Sequence, residues 1–277
     1  MMKNLSLQNE WALVTGASSG LGAEMARQLA KTHKANLLLV ARRQERLELL
    51  ADELRQEMGV EVRTLALDLS DPESLPLLVN ESAELSLKAV LLNAGVTYFG
   101  AYDQLDTEEF AQMIRLNIES TTLLMNHYAL EFSQSKNQGA ILVVASLAGL
   151  TPIAYQAAYS GSKAYLINYG CALAEELRPQ QVSLSVFAPG GIATEMTAGA
   201  KFNELRGWLV PVGPCARRAL DGMLQRRLLI VPGLFYRIST WFTRLLPLRI
   251  VTSQIARQYR SSLKKHLGSE ANKKRDA

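Results

Sequence analysis

The chain has 277 residues, of which 48% are apolar and 20% are charged, and its formal net charge at pH 7 is +4. This composition suffices for one large α/β domain and is unlike that of a disordered chain. Cys171 and Cys215 are far apart and the three histidines are scattered, so neither a disulfide framework nor a metal site is expected. The sequence has no apolar run long enough for a membrane span and no signal-peptide core at its start, which predicts a cytoplasmic protein.

The charge is divided unevenly along the chain. Residues 201–277 contain 16 Lys/Arg and 4 Asp/Glu, a net charge of +12, whereas residues 1–200 contain 14 and 22, a net charge of −8. Such a basic segment is attracted to an anionic membrane surface, an acidic carrier protein or a phosphorylated substrate, but it is equally typical of a solvated basic helix. No nucleic-acid partner is expected.

Short apolar runs alternate along the chain with helical patterns, which lie at 21–33, 43–58, 107–135 and 159–178. The runs are continuously apolar, as in strands that are covered on both faces of a parallel sheet. We therefore predict a Rossmann-like, doubly wound α/β domain of about seven parallel strands over residues 1–232. A basic helical extension is predicted over 233–277, with its last ten or so residues disordered. The predicted strands are 11–15, 36–41, 62–67, 89–93, 140–145, 182–188 and 228–231.

A glycine-rich turn, TGASSGLG at 15–22, follows the first strand and opens a helix. Glycines in this position let backbone N–H groups approach a pyrophosphate, and the helix dipole favours the negative charge. The spacing GxxxGxG differs from the commoner GxGxxG, and a glycine turn alone is weak evidence. The cofactor-binding residues predicted in this turn are Gly16, Ser18, Ser19, Gly20, Leu21 and Gly22.

The second strand ends in VARR. A site specific for NAD usually has an acidic residue about 20 positions past the glycines, where it binds the adenine ribose. Arg42 and Arg43 stand there instead, and a guanidinium favours the 2′-phosphate of NADP(H). The alternative is that both arginines simply begin a solvated helix. Asp68, followed by Leu69, comes after the third strand and is expected at the adenine.

More motifs follow in a fixed order: DL at 68–69, NAG at 93–95, Asn117, Ser146, YSGSK at 159–163 and PGGIAT at 189–194. Together with the glycine turn they resemble the short-chain dehydrogenase/reductase family in its compact single-domain form, over residues 8–232. The resemblance implies an NADP(H)-dependent oxidoreductase whose catalytic residues are Asn117, Ser146, Tyr159 and Lys163. The other cofactor-binding residues that it implies are Asn93, Ala94, Gly95, Pro189, Gly190, Ile192 and Thr194, together with Tyr159 and Lys163.

The pair Tyr159 and Lys163 also has a chemical rationale of its own. Residues four apart share one helix face, and a nearby ammonium lowers the pKa of a phenol, which is ordinarily near 10. Such a phenol is a workable general acid for reducing a ketone, or a base for oxidising an alcohol. Ser146 can donate to the substrate oxygen as negative charge develops there. The small residues Ser160 and Gly161 are expected on a helix face that packs close to the cofactor.

Asn117 lies in a predicted helix, where asparagine is a poor helix former. By the resemblance it helps to hold a water in a proton relay to bulk solvent, and the alternative is a hydrogen-bonded core amide. The resemblance also implies that the small NAG residues let the cofactor ribose lie against the backbone, and that PGGIAT wraps the nicotinamide amide.

The favoured function is NADPH-dependent reduction of a hydrophobic ketone or 3-oxoacyl group to an alcohol. Oxidation of an alcohol or hydroxysteroid with NAD(P)+ is the first alternative, and a non-catalytic NADP(H)-binding sensor is the second. Apolar residues near the motifs indicate a hydrophobic pocket and a lid over it. Those expected in the pocket are Tyr98, Phe99, Ile153, Ala154 and Tyr155, and those expected in the lid are Met196, Phe202, Leu205 and Trp208.

Beyond the predicted domain, apolar residues from Leu234 to Leu246 recur at the spacing of an amphipathic helix that ends at Pro247, and a basic segment follows at 255–267. Three interpretations remain open. The extension packs against the domain or a sister subunit, it makes peripheral membrane contact through 234–265, or it controls substrate entry. The family resemblance also implies a homodimer or homotetramer formed through the helices at 107–135 and 159–178.

Overall fold

The computed structural model describes residues 5–135, 139–198, 207, 209–233, 246–257 and 259–260. Its strands are β1 (Trp11–Thr15), β2 (Asn36–Ala41), β3 (Val62–Ala66), β4 (Leu87–Leu92), β5 (Ala140–Val144), β6 (Ser183–Phe187) and β7 (Leu229–Ile230). They form one sheet in the order β3-β2-β1-β4-β5-β6-β7, in which all neighbours are parallel. The predicted Rossmann-like doubly wound sheet is thus confirmed. Its order reverses between β1 and β4, where folds of this kind bind ligands.

Helices cover both faces of the sheet. They are α1 (Gly20–His33), α2 (Gln44–Met58), α3 (Ser74–Ala83), α4 (Thr107–Ile114), α5 (Thr121–Gln134), α6 (Ala157–Leu177) and α7 (Val212–Leu224). Where the sequence predicts one helix over 107–135, a π-helical turn at Arg115–Ser120 separates α4 from α5. The sequence analysis does not identify α3 and α7.

The strands are apolar throughout because both sides of the sheet are packed. In β1, Ala12 and Val14 belong to the hydrophobic cluster on one face of the sheet, and Leu13 belongs to the cluster on the other face. All five residues of β5 and all five of β6 are buried. Each fully buried leucine or valine contributes about 1.5–3 kcal/mol relative to an exposed one, so the central strands anchor the fold.

The parallel arrangement brings the motifs together at one edge. The carboxyl ends of β1, β4, β5 and β6 are Thr15, Leu92, Val144 and Phe187. The glycine turn, NAG, Ser146 and PGGIAT follow these four ends directly. Four segments that are distant in the sequence therefore converge on one cleft.

A further helix, here called the C-terminal helix, comprises residues 248–257 and 259–260. It begins just after Pro247, whose carbonyl accepts a hydrogen bond from Ile250 N. Pro247 therefore stands at the start of this helix as well as at the predicted end of the amphipathic helix. The predicted amphipathic segment at 234–245 and the predicted disordered tail lie outside the described residues. Within the described ranges, no helix has the length and hydropathy that crossing a bilayer would require.

Candidate active site

A cavity of about 950 Å3 opens at the carboxyl edge of the sheet. Most of the predicted site residues line it, including residues of the glycine turn and of the PGGIAT segment. Gly22 and Asn117 are the two predicted residues that do not contribute to its wall, among the residues the structure describes. The predicted residues that do line it are Gly16, Ser18, Ser19, Gly20, Leu21, Arg42, Arg43, Asp68, Leu69, Asn93, Ala94, Gly95, Ser146, Tyr159, Lys163, Pro189, Gly190, Ile192 and Thr194.

The glycine turn depends on backbone conformation and on close packing. Gly16 and Gly20 have φ values of 67° and 55°, in the left-handed region that favours glycine. Gly22 has a packing role, because a Cβ there would lie 2.3 Å from the carbonyl oxygen of Gly16 and 2.6 Å from Asn93 Nδ2. Gly22 therefore lets α1 begin directly behind the turn rather than forming the wall of the cavity.

Thr15 joins the ends of β1 and β4, a role that the sequence analysis did not assign. Its hydroxyl accepts hydrogen bonds from Asn93 N at 2.9 Å and Ala94 N at 3.0 Å, and it donates to Leu91 O at 3.3 Å. Asn93 Nδ2 donates in return to Thr15 O at 3.0 Å. These bonds hold the NAG segment beside the glycine turn. In the sequence, the only indication of this role is that a threonine stands at the end of the strand, directly before Gly16.

The arginines after β2 lie at the adenine end expected for the cofactor. Arg43 Nη2 donates to Ser18 Oγ at 3.0 Å and to Ser19 Oγ at 2.6 Å. Its Nη1 lies 3.0 Å from Glu195 Oε2, and Arg46 also bonds this carboxylate. Glu195 and Arg46 were not identified from the sequence. Arg43 is thus fixed to the glycine turn, as an anion-binding role would require.

Arg42 lies beside Asp68, with its Nη1 3.6 Å from Asp68 Oδ2. Asp68 Oδ1 accepts from the backbone N of Ser70 at 3.0 Å and from its hydroxyl at 2.7 Å. Burial on its own would raise the pKa of Asp68, but the Ser70 hydrogen bonds and the Arg42 guanidinium together lower it. Asp68 is therefore ionised at neutral pH and is a hydrogen-bond acceptor at the cavity wall.

Tyr159 and Lys163 share one face of α6, as their spacing predicts. Lys163 Nζ lies 5.8 Å from the centre of the Tyr159 ring and donates to Val144 O at 2.9 Å. Ser146 follows β5, and its hydroxyl accepts from Ala148 N at 3.1 Å. It is also hydrogen-bonded to Tyr159. The three side chains therefore converge on one part of the cavity.

The predicted lowering of the Tyr159 pKa by Lys163 is wrong for this structure. Burial raises the pKa of Tyr159 above 10.0, the hydrogen bond with Ser146 opposes this, and the neighbouring Tyr259 raises it further. Burial lowers the pKa of Lys163 to about 8, and its ammonium group is directed to the Val144 carbonyl. At neutral pH Tyr159 is therefore a protonated phenol, the form that can give up a proton.

Asn117 lies in the π-helical turn and is fully buried. Its Oδ1 accepts from Val96 N at 2.9 Å, and its Nδ2 donates to Val96 O at 2.9 Å and to Ser162 Oγ at 3.2 Å. This pattern matches the core-amide alternative for the side chain. A Cβ on Gly95 would lie 3.1 Å from Asn117 Oδ1 and 3.4 Å from Lys163 Nζ, so glycine leaves room for both groups.

Ser160 and Gly161, the two small residues that follow Tyr159, have different roles. Ser160 is buried, and its hydroxyl bonds the carbonyl of Ala148 and accepts from Ile153 N at 3.2 Å. It ties the loop after Ser146 to α6. Gly161 is exposed, and a Cβ there would meet no atom within 4 Å. The expectation that Gly161 faces the cofactor is therefore wrong.

A profile of the short chain dehydrogenase family matches residues 10–204. The chain belongs to this family. The 7beta-hydroxysteroid dehydrogenase of Clostridium sardiniense is 32% identical over 185 residues, which are 67% of this chain and 70% of that protein. The very-long-chain 3-oxoacyl-CoA reductase of Lodderomyces elongisporus is 37% identical over 189 residues, which are 65% of this chain and 54% of that protein.

A solved short-chain dehydrogenase from Sphingobium yanoikuyae, in complex with NADPH, has a TM-score of 0.78 and 31% identity to this chain. The similarity covers 85% of this chain and 93% of that structure. Membership in the short-chain dehydrogenase family makes this protein an oxidoreductase that acts on carbonyl or alcohol groups and binds a nicotinamide dinucleotide. The chain spans about half the length of the Lodderomyces reductase.

The apolar part of the cavity wall agrees only in part with the predicted pocket and lid. Of the apolar residues expected in the pocket and lid, Ile153 and Met196 line the cavity, within the described part of the chain. The Tyr98 hydroxyl instead donates to Ala101 O at 2.9 Å, and Phe99 is buried behind the wall. Phe202, Leu205 and Trp208 lie outside the described residues. Leu209, Ile255 and Tyr259, which were not predicted, also line the cavity.

Proposed function

We propose that the protein reduces a hydrophobic ketone or 3-oxoacyl group to an alcohol with NADPH. The observation that carries this proposal is the convergence of Ser146, Tyr159 and Lys163 in the cavity that the glycine turn also lines. The left-handed Gly16 and Gly20 fit the close approach of a pyrophosphate. NADPH, when bound, supplies the hydride for the carbonyl carbon.

Tyr159 gives its proton to the carbonyl oxygen as negative charge develops there. Ser146 donates a hydrogen bond to the same oxygen and so stabilises the charge. Lys163, whose Nζ lies 5.8 Å from the centre of the Tyr159 ring, would hold the nicotinamide ribose. The protonated phenol of Tyr159 at neutral pH is the form that carbonyl reduction uses.

The preference for NADP(H) over NAD(H) is part of the proposal. Arg43 and the hydroxyls of Ser18 and Ser19 form a cluster of donors that suits a 2′-phosphate. Arg42 lies beside Asp68 at the same end of the cavity. Asp68 is paired with Arg42, so its carboxylate repels a phosphate less strongly than an unpaired carboxylate would.

The proposal is tested with a panel of carbonyl compounds of increasing size and chain length, followed by the loss of NADPH absorbance. We expect turnover to increase with the apolar surface of the compound and to be faster with NADPH than with NADH. An absence of turnover with every ketone and 3-oxoacyl thioester would overturn the reaction. At least tenfold tighter binding of NADH would overturn the cofactor preference.

A homodimer or homotetramer is also proposed. Phe110 of α4, Leu123 and Leu130 of α5, and Tyr165 of α6 are exposed on the helices through which assembly is expected, and exposed apolar side chains there suit a subunit interface. Leu123→Glu is expected to shift the protein to a smaller species in sizing chromatography combined with light scattering. Leu49→Glu, on the exposed face of α2, is the control. A wild-type protein that elutes as a monomer would contradict this proposal.

Peripheral membrane contact is the remaining part of the proposal. Leu246, Leu248 and Ile250, at the start of the C-terminal helix, are exposed beside Arg249, within a segment of high positive charge. This arrangement suits the surface of an anionic bilayer. The protein is expected to float with vesicles that contain phosphatidylserine and not with purely zwitterionic vesicles. Equal recovery of wild type and Leu248→Glu/Ile250→Glu would contradict this role.

A further inference from the structure

The C-terminal helix reaches the cavity from outside the region that the family profile matches, which ends at residue 204. Val251, Ile255 and Tyr259 are four residues apart and so share one face of this helix. Val251 is buried against the protein, and Ile255 and Tyr259 line the cavity. This chain therefore completes its cavity with residues that the shared family region does not supply.

Two contacts hold the end of this helix in place. The Tyr259 ring packs edge-on against Phe99, with ring centres 5.4 Å apart and planes at 84°. Phe99 is only 4% exposed, so it is a fixed support. In addition, Arg260 Nε donates to the Tyr155 hydroxyl at 3.0 Å. Aromatic pairs of this kind stabilise a contact beyond the effect of the area they bury.

The second contact joins the helix to the loop that precedes the reactive tyrosine. Tyr155 has a φ of 66°, in the left-handed region, and its carbonyl accepts from Gly100 N at 3.0 Å. A non-glycine residue in this conformation is held there by its surroundings. Tyr155 thus links the C-terminal helix to the loop after β4 and to the start of α6.

Tyr259 also stands close to the reacting groups. It lines the same cavity as Ser146 and Tyr159, and it is near enough to Tyr159 to affect its ionisation. Burial raises the pKa of Tyr259, so its phenol is neutral under physiological conditions. Tyr259 presents an apolar ring and a neutral hydroxyl to whatever occupies the space in front of Tyr159.

We propose that Tyr259 and Ile255 form the substrate wall opposite Ser146 and Tyr159, and that Tyr259 sets the size of the group that can flank the substrate carbonyl. The inference rests on the proposed function for the identity of the reaction. Ile255 contacts the apolar body of the substrate. Phe99 and the Arg260–Tyr155 hydrogen bond are the supports that keep Tyr259 in position.

The test compares wild type with Tyr259→Ala, Tyr259→Phe and Ile255→Ala in the full-length protein. Gln254→Ala is the control, because Gln254 lies on the same helix and is exposed. For each variant, kcat and KM are measured with a bulky apolar ketone and a small methyl ketone. NADPH affinity, which should not change, is measured alongside, and so is melting temperature, which should fall in Tyr259→Ala because the contact with Phe99 is lost.

Tyr259→Ala is expected to change the ratio of kcat/KM for the bulky ketone to that for the small ketone by about tenfold or more. Ile255→Ala should change it in the same direction, Gln254→Ala should leave it within twofold, and Tyr259→Phe should lie between wild type and Tyr259→Ala. Unchanged ratios in Tyr259→Ala and Ile255→Ala, in protein that binds NADPH normally, would overturn the inference and leave the proposed function intact.

A second measurement does not depend on turnover. The same two ketones are titrated calorimetrically, in the presence of NADP+, into Tyr159→Phe protein with and without Tyr259→Ala. Tenfold weaker or stronger binding of the bulky ketone on removal of Tyr259 supports the inference even when wild type turns over neither ketone, a result that would count against the proposed function alone. Equal binding to the two proteins would overturn the inference.

Discussion

The guanidinium of Arg43 lies 3.0 Å from the carboxylate of Glu195, across 152 residues of sequence. The same guanidinium bonds Ser18 and Ser19 in the glycine turn. Glu195 follows the PGGIAT segment, so the ion pair links the residue after that segment to the arginine beside the glycine turn. It also places a carboxylate next to the arginine that we propose for the 2′-phosphate.

This relationship predicts that Glu195 competes with the 2′-phosphate for Arg43. Glu195→Gln removes the competing charge and is expected to tighten NADPH binding by a factor of roughly 2–5, with NADH unchanged. Arg43→Ala is expected to weaken NADPH binding by about tenfold or more and to leave NADH nearly unaffected. Fluorescence titration of each protein with both dinucleotides measures these changes. Equal effects on NADPH and NADH would show that Arg43 does not contact the 2′-phosphate.

Two glycines provide a matched pair of substitutions. Gly22→Ala places a Cβ 2.3 Å from the Gly16 carbonyl oxygen, and overpacking of this kind costs about 1–3 kcal/mol or more. It should lower the free energy of unfolding and weaken cofactor binding. Gly161→Ala places its Cβ in open space within α6, and the gain in helix propensity should stabilise the protein by about 0.5–1 kcal/mol. Denaturant unfolding compares the two, and a destabilised Gly161→Ala would contradict this view of α6.

Thr15 provides a test of how the cavity edge is held. Thr15→Val keeps the shape but leaves the backbone N–H of Ala94 without its acceptor, at a cost of about 1–3 kcal/mol, and removes one of the two acceptors of Asn93 N, which also donates to Leu91 O. Thr15→Ser retains the hydroxyl and should lose much less stability. Comparable losses in both variants, measured by urea unfolding, would mean that the methyl group matters more than the hydrogen bonds.

The buried Lys163 predicts a pH dependence of stability. Burial lowers its pKa to about 8 from 10.5, so between these values the unfolded chain binds more protons than the folded protein. The free energy of unfolding of wild type should therefore rise relative to that of Lys163→Met as the pH increases from 8. Between pH 8 and 9.5 the relative gain should be about 1–2 kcal/mol. Below pH 8 Lys163 is protonated in both the folded and the unfolded chain, so the full destabilisation by the buried ammonium group is present.

The control for this measurement is the exposed Lys31. Lys31→Met and wild type should show the same dependence on pH. Parallel curves for wild type and Lys163→Met between pH 8 and 9.5 would contradict the lowered pKa of Lys163.

The strands and the motif residues could be predicted from sequence for a definite reason. A parallel sheet that is packed on both faces needs continuously apolar strands, and loops at its carboxyl edge bring together residues that follow strand ends. The α3 segment, SLPLLVNESA, contains a proline and several polar residues without clear helical periodicity, so it gives no such signal. Pro247 was interpreted as a helix end, although proline is also favoured where a helix begins.

The rest of the site depends on contacts between distant segments. Glu195 meets Arg43, and Tyr259 meets Phe99, through the tertiary fold, which periodicity and local motifs do not encode. The direction of the Tyr159 pKa shift could not be predicted from the sequence either. The spacing of Tyr159 and Lys163 was correct, but the Lys163 ammonium bonds a backbone carbonyl and burial dominates at Tyr159.

The central claim is that the Tyr159 phenol protonates the substrate oxygen, and the most direct measurement is the rate of ketone reduction by Tyr159→Phe at saturating NADPH. We expect kcat to fall by about 10²–10⁴-fold, with NADPH affinity nearly unchanged, because the phenylalanine removes only the acidic hydroxyl. Tyr165→Phe, at an exposed tyrosine of the same helix, should retain the wild-type rate. A Tyr159→Phe protein that reduces its best ketone at the wild-type rate would contradict the account.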